Sequence, residues 1–161
     1  MLFITLGTQR FQFDRVLKEI DKLIENGKIN KENIQVQCVY SEYEPKNFKT
    51  FKLKPQDEID KITDEADIII THSGTGSIIN SLKKQKKIII IPRLKEYGEH
   101  VDNHQMELAN VFGQKFDIPV VKDMDNLYNA IEHIDEYKPK KWKENNDGLI
   151  TAIENSIDKL L

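Results

Sequence analysis

The chain has 161 residues, 39% of them hydrophobic and 32% charged, with a formal net charge of -3 at pH 7. That length suits one domain with a real core, the composition is that of a soluble globular protein, and the small net charge gives no basis for broad nucleic-acid binding. A single cysteine, Cys38, sits in the apolar run Ile34–Tyr40 and reads as a buried structural thiol. One cysteine allows no disulfide framework within the chain, which fits a reducing cytoplasm. No stretch reaches about 18 consecutive apolar residues, and the opening run Leu2–Leu6 is too short, and too poor in basic flanking residues, for a signal sequence.

Strand-like and helix-like patterns alternate along the chain. Leu2–Leu6 reads as a first strand, followed by Gly7-Thr8-Gln9. Asp14 is placed to cap a helix whose Val16, Leu17, Ile20, Leu23 and Ile24 share one face, and Asn26-Gly27 ends it. Ile34–Tyr40 reads as a second strand, and Phe48–Leu53 as a short one in a polar stretch. A helix is expected from Pro55 to Glu65 with Ile59 and Ile62 inward, a strand over Ile68–Thr71, a helix over Ser77–Lys84 and a strand over Lys87–Ile91. Asp102–Phe112 reads as a helix with Met106, Leu108, Ala109 and Val111 available for packing. A short strand over Ile118–Val121 and a helix over Leu127–Ile134 follow.

A last helix is expected from about Asp147 to Leu161, with Leu149, Ile150, Ile153, Ile157 and Leu160 as its apolar stripe. That stripe and Trp142 are expected to pack on the core rather than on a partner. The lysine-rich run Lys138–Lys143 is expected to be solvated rather than lipid-bound. The alternation implies an α/β domain built on a mostly parallel sheet covered on both faces. No repeat or interdomain linker breaks it, so residues 1–161 are read as one domain.

Two polar loops fall at the carboxyl ends of apolar strands, where open α/β sheets bind ligands. The first is His72-Ser73-Gly74-Thr75-Gly76-Ser77. Its glycines allow a tight turn and close backbone approach, its hydroxyls add donors, and a helix starting near Gly76–Ser77 aims free N–H groups at an anion such as a diphosphate. A plain glycine turn with Ser77 as helix cap is the alternative. Other glycine motifs fail on spacing: the Lys-Ser/Thr of a Walker loop is absent, a dinucleotide fingerprint meets Ile79 where its third glycine belongs, and a nucleophile elbow around Ser73 meets Thr71.

The second loop is Gly98-Glu99-His100-Val101-Asp102-Asn103-His104-Gln105. Glu99, His100, Asn103 and Gln105 suit a hydrogen-bonding rim for sugar hydroxyls. His72, following the strand end at Thr71, is expected to face the same crevice. His100 and His104 stand four apart, as metal ligands on a helix do, but Val101 occupies the glutamate position of a zincin motif, and no metal is assigned. The alternative for His104 is capping or packing. His133, remote from both loops, reads as a surface residue.

The run Thr71-His72-Ser73-Gly74-Thr75-Gly76-Ser77-Ile78-Ile79, then Pro92-Arg93, then Gly98 to Ala109, resembles the carboxyl-terminal domain of family 28 glycosyltransferases. The opening Phe3-Ile4-Thr5-Leu6-Gly7-Thr8 resembles the start of that domain, so the resemblance spans nearly the whole chain. The form of the second loop looks closest to the PssE-like and EpsF-like bacterial polysaccharide subunits, which are similar to Alg13.

The resemblance implies a Rossmann-like fold equivalent to the donor-binding half of a GT-B glycosyltransferase. It further implies an inverting hexosyltransferase, with galactose the donor sugar suggested, split between two chains. An Alg14-like or PssD-like membrane-associated partner would hold a lipid-linked saccharide acceptor and recruit this cytoplasmic chain to the membrane face. The pathway implied is exopolysaccharide or capsule synthesis.

Carried onto this sequence, Gly7 and Thr8 approach the donor. Ser73, Gly74, Thr75, Gly76 and Ser77 hold its diphosphate. His72, Glu99, His100, Asn103, His104 and Gln105 contact sugar and phosphate. Glu99 and His100 are the candidate bases in this chain, with a base supplied by the partner as the alternative. Asn80 stands where many members carry an acidic residue for the ribose hydroxyls. No cofactor is implied, the UDP-sugar being substrate. Two other readings stand beside this one: a non-catalytic regulatory subunit of a partner transferase, and a stand-alone nucleotide-sugar-binding module.

Overall fold

In the computed structural model the described residues are 1–143 with Gly148, Thr151, Ala152 and Asn155. The apolar stripe of the expected last helix lies outside them. The elements are β1 (Leu2–Thr5), α1 (Asp14–Glu25), β2 (Ile34–Gln37), α2 (Gln56–Glu65), β3 (Ile68–Thr71), α3 (Thr75–Lys83), β4 (Lys87–Ile90), α4 (His104–Phe116) and α5 (Leu127–Glu132). The four strands form a parallel sheet in the order β2-β1-β3-β4.

Strand alternation divides the core in two. Leu2, Ile4, Ile70, Ile89 and Ile91 point to one face, where Val16, Leu17, Ile20 and Leu23 of α1 and Leu127 of α5 cover them. Ile88 and Ile90 point to the other, under Ile78 and Leu82 of α3 and Ala109, Phe112 and Phe116 of α4. Trp142 stacks on Phe116 with ring centroids 5.8 Å apart, so it packs on this second core.

The chain leaves β1 toward β2 on one side and reaches β3 on the other. The carboxyl ends of β1 and β3 therefore flank the point where strand order reverses, and a crevice opens there.

Several local expectations are corrected. Asp14 is the first residue of α1, not its cap: Phe13 occupies the cap position, and the Gln12 Oε1 accepts from the Asp14 N–H at 2.8 Å. The Asp14 carboxylate instead accepts from the Glu42 N–H at 3.1 Å. β2 stops at Gln37, and the short strands expected at Phe48–Leu53 and Ile118–Val121 reduce to single bridges, Phe51 to Gln37 and Val120 to Ile90. Both sit at sheet edges, where each has a neighbour on only one side. α3 begins at Thr75, two residues early, and α4 runs from His104 to Phe116.

Candidate functional site

The loops after β1, β3 and β4 meet at the crevice around His72. Its imidazole is wedged between two glycines. A Cβ on Gly7 would lie 2.6 Å from His72 Nε2, and one on Gly74 would strike Cε1 and come within 2.5 Å of Nε2. Gly7 also has φ +80°, a backbone that L side chains rarely adopt. The sequence reading gave Gly74 to a tight turn and a ligand. Its φ of -73° is ordinary, and what demands glycine there is the histidine ring. Gly76 differs: a Cβ there meets nothing within 4 Å.

His72 is buried, and that burial, with the Arg93 guanidinium adding to it, lowers its pKa to about 4. The ring is therefore neutral near pH 7. Its Nδ1 lies 3.3 Å from Gln105 Nε2. The Gln105 Oε1 accepts from the backbone N–H groups of Arg93 (3.0 Å) and Ser73 (3.4 Å). The amide thus ties the loop after β3 to the loop after β4, and the side chain is buried among these partners. This corrects the expectation that Gln105 belongs to the open rim.

Glu99 needs the same correction. It is 1% exposed. One carboxylate oxygen accepts from Arg15 Nε at 2.6 Å and the other from the Leu94 N–H at 2.9 Å. This carboxylate holds the turn between β4 and α4 onto α1. A base must reach its proton within hydrogen-bond distance, and an enclosed carboxylate does not present itself to an acceptor.

Arg93, quoted above only for the resemblance, turns out to organise the site. It is 1% exposed. Its guanidinium donates to the carbonyls of Leu6 (2.5 Å), Phe11 (2.9 Å) and Glu99 (3.2 Å) and lies over the Phe13 ring. Burial lowers its pKa and the Glu99 carboxylate opposes that; an arginine stays charged in a protein. The Glu99 carboxylate pairs with Arg15 alone, while the Arg93 guanidinium meets only main-chain carbonyls. Arg93 Nε and Ser73 Oγ are buried without hydrogen-bond partners. The floor of the crevice carries the Arg93 guanidinium, which no carboxylate bonds, beside the amino terminus of α3, whose cap residue Gly74 brings no side chain.

The remaining predicted residues sit around this floor. Thr8 and Gly76 are exposed, and Thr75, Ser77 and Asn80 are half-buried on α3. His100 is half-buried against the Phe11 ring, with Nδ1 3.0 Å from Asp102 Oδ1. That same oxygen accepts from the His104 N–H at 2.9 Å, so Asp102, absent from the predicted set, caps α4 and touches His100 together. His100 lies before the helix and His104 opens it, so the two do not share a helical face. Asn103 accepts from the Lys95 N–H at 3.0 Å. His133 is far from the crevice and pairs with Glu136. A neighbouring cleft of ≈ 500 Å³ lies between α1 and the loops at Tyr97 and Lys122, beside the crevice rather than in it.

The sequence profile described as the glycosyltransferase family 28 C-terminal domain matches residues 1–161. The chain belongs to that family. This family 28 domain is 34% identical over 102 residues to the UDP-N-acetylglucosamine transferase subunit ALG13 of Candida albicans, covering 63% of this chain and 33% of that protein. It is 30% identical over 115 residues to the subunit of the same name from Mus musculus, covering 66% of this chain and 9% of that one. The chain thus spans a third or less of either relative. The fold is similar to an NMR structure of ALG13 (TM-score 0.55, 18% identity, 87% of each chain). It is also similar to the spinosyn forosaminyltransferase SpnP (TM-score 0.55, 14% identity, 98% of this chain and 39% of that one). At those identities the likeness shows the fold, an α/β domain of GT-B type. Among the described residues, no helix is long and apolar enough to cross a membrane.

Proposed function

We propose that this family 28 domain is the donor-binding subunit of a two-part inverting glycosyltransferase. It holds a UDP-hexose, and an Alg14-like or PssD-like membrane-associated subunit holds a polyprenyl-diphosphate-linked acceptor and brings the domain to the cytoplasmic membrane face. Exopolysaccharide or capsule assembly is the setting. Galactose is the hexose suggested by the family resemblance, with glucose as an alternative, while the names of the relatives favour N-acetylglucosamine.

One observation carries the reading. The amino terminus of α3, entered through Gly74, and a buried Arg93 whose guanidinium meets only carbonyls come together at the reversal point of the sheet, a setting that suits an anion. A diphosphate there is held by the N–H groups and hydroxyls of residues 74–77, with His72 between the two glycines as a further donor. Stabilising charge as it develops on the leaving group is where such preorganised donors contribute most.

In the reaction, the acceptor hydroxyl oxygen attacks the sugar C1 from the face opposite UDP. The O–C1 bond forms, the C1–O bond to phosphate breaks, and the electron pair leaves on the diphosphate. The hydroxyl proton passes to a base, a role we give to His100 rather than to the enclosed Glu99.

The test is sugar transfer from UDP-galactose, UDP-glucose and UDP-N-acetylglucosamine to a lipid-linked acceptor, with this chain alone and with its partner. The space around Gly76 is open, so Gly76→Glu folds and places a carboxylate where the diphosphate belongs. Transfer that needs both chains and disappears in the variant supports the reading. Full activity of the variant with the partner moves the donor site elsewhere and leaves this chain a regulatory subunit.

A further inference from the structure

His72 and His100 are gripped at the same ring nitrogen by side chains of opposite chemistry. The partner of His72 Nδ1 is an amide whose orientation is not free. Its oxygen accepts two backbone N–H groups, so its nitrogen faces the ring and donates. Nδ1 must then offer its lone pair, and the proton of the neutral ring resides on Nε2. Turning the amide over would lose both backbone bonds and set two donors against each other. The partner of His100 Nδ1 is a carboxylate at 3.0 Å, which only accepts. Nδ1 must then carry the proton, although the Asp102 N–H also lies 3.4 Å away. The shorter contact to the charged oxygen decides it.

We propose that Gln105 and Asp102 are positioning residues that lock the two crevice histidines in opposite tautomers, His72 as the Nε2–H form and His100 as the Nδ1–H form. Resting on the reading above, this divides the chemistry between two identical side chains. His72 presents a neutral N–H between Gly7 and Gly74 to the departing diphosphate and has no lone pair free to act as base. His100 presents a bare Nε2 to the acceptor hydroxyl.

The device also explains why two polar side chains are spent inside the loop network rather than on a ligand. The charged group bearing on His72 is the Arg93 guanidinium, which disfavours a second proton on its ring. The Phe11 ring packs against His100.

The experiment is two-bond proton–nitrogen correlation on the full, nitrogen-15-labelled chain at mildly alkaline pH, without any nucleotide. Bare and protonated ring nitrogens resonate far apart, so each tautomer is read directly. His104→Gln and His133→Gln identify those two rings by the loss of their signals, and Gln105→Glu picks out His72. The expected result is Nε2–H for His72 and Nδ1–H for His100.

Gln105→Glu is nearly isosteric. Its carboxylate should move the His72 proton to Nδ1 and raise the titration midpoint of that ring by about 1–3 pH units. Asp102→Ala should return His100 to the Nε2–H form while leaving the His72 signals in place, which a general loss of fold would not do. Nδ1–H or a fast-exchange average at His72, Nε2–H at His100, or a Gln105→Glu variant with His72 unchanged would overturn the proposal. Because no donor is present, these outcomes are independent of whether a UDP-sugar binds.

Discussion

Arg15 Nε donates to Glu99 Oε1 at 2.6 Å, linking the first turn of α1 to a loop that arrives 84 residues later. The contact turns a residue type associated with acid–base work into a strut. Glu99→Gln keeps the shape and removes the charge, leaving Arg15 without its carboxylate partner. Breaking one partner of a buried pair is costly, and Arg15 is 16% exposed on its side chain, which softens the loss. Urea denaturation should show a loss of about 1–3 kcal/mol, with turnover per folded molecule nearly intact. A fall in kcat of several orders of magnitude at unchanged stability would restore Glu99 as the base.

The two loop glycines should respond in opposite ways. Gly74→Ala drives a methyl into the His72 ring, an overpacking that costs about 1–3 kcal/mol. Gly76→Ala meets open space and replaces the poorest ordinary helix former by the best, so its stability should rise by a few tenths to about 1 kcal/mol. Thermal melts of the two variants side by side check both signs.

Burial makes His72 a source of acid sensitivity. Its pKa is about 4 in the fold, against about 6.5 in an unfolded chain. Between those values the unfolded chain binds the extra proton and the folded one does not. The contribution is therefore complete above about pH 6.5 and is lost as pH falls toward 4. It amounts to about 3 kcal/mol. Denaturation midpoints of the intact chain and of His72→Gln, followed from pH 7 to about 4, should converge toward the acid end. Parallel curves would mean that the ring titrates normally.

Asn80, half-buried on α3, replaces the acidic residue that many relatives use toward the ribose. If the donor lies along α3, Asn80→Glu should tighten UDP binding by about 1 kcal/mol, or several-fold, because charge-assisted hydrogen bonds exceed neutral ones. Calorimetric titration with UDP reads this, and unchanged affinity would take the ribose away from α3.

Much of this architecture was legible in the sequence because it follows from periodicity. The isoleucine-rich runs at Ile68–Thr71 and Lys87–Ile91 gave β3 and β4 nearly to the residue. The polar loops that follow them could be placed by their position alone. Partnership was not legible. Glu99 and Gln105 carry polar groups that suit a ligand as well as they suit Arg15, Ser73 and Arg93, and the choice depends on contacts made across 12 to 84 residues of chain. The role of Arg93 is hidden in the sequence for a similar reason. An arginine after a strand reads as solvated until four loop and strand-end carbonyls are seen to surround it. Edge strands such as Ile118–Val121 had the right composition, yet each is reduced to a single bridge on one side, with Pro119 and Val121 both bonding to Ile90 alone.

All of the acceptors for the Arg93 guanidinium are main-chain carbonyls, those of Leu6, Phe11, Gln12 and Glu99. A clamp of that kind reads the path of the backbone and ignores which side chains hang from it. Thr8, Gln9 and Arg10, between the clamped points, are exposed. They form a cassette that evolution or an engineer can rewrite without loosening its frame, and that frame overlooks the crevice.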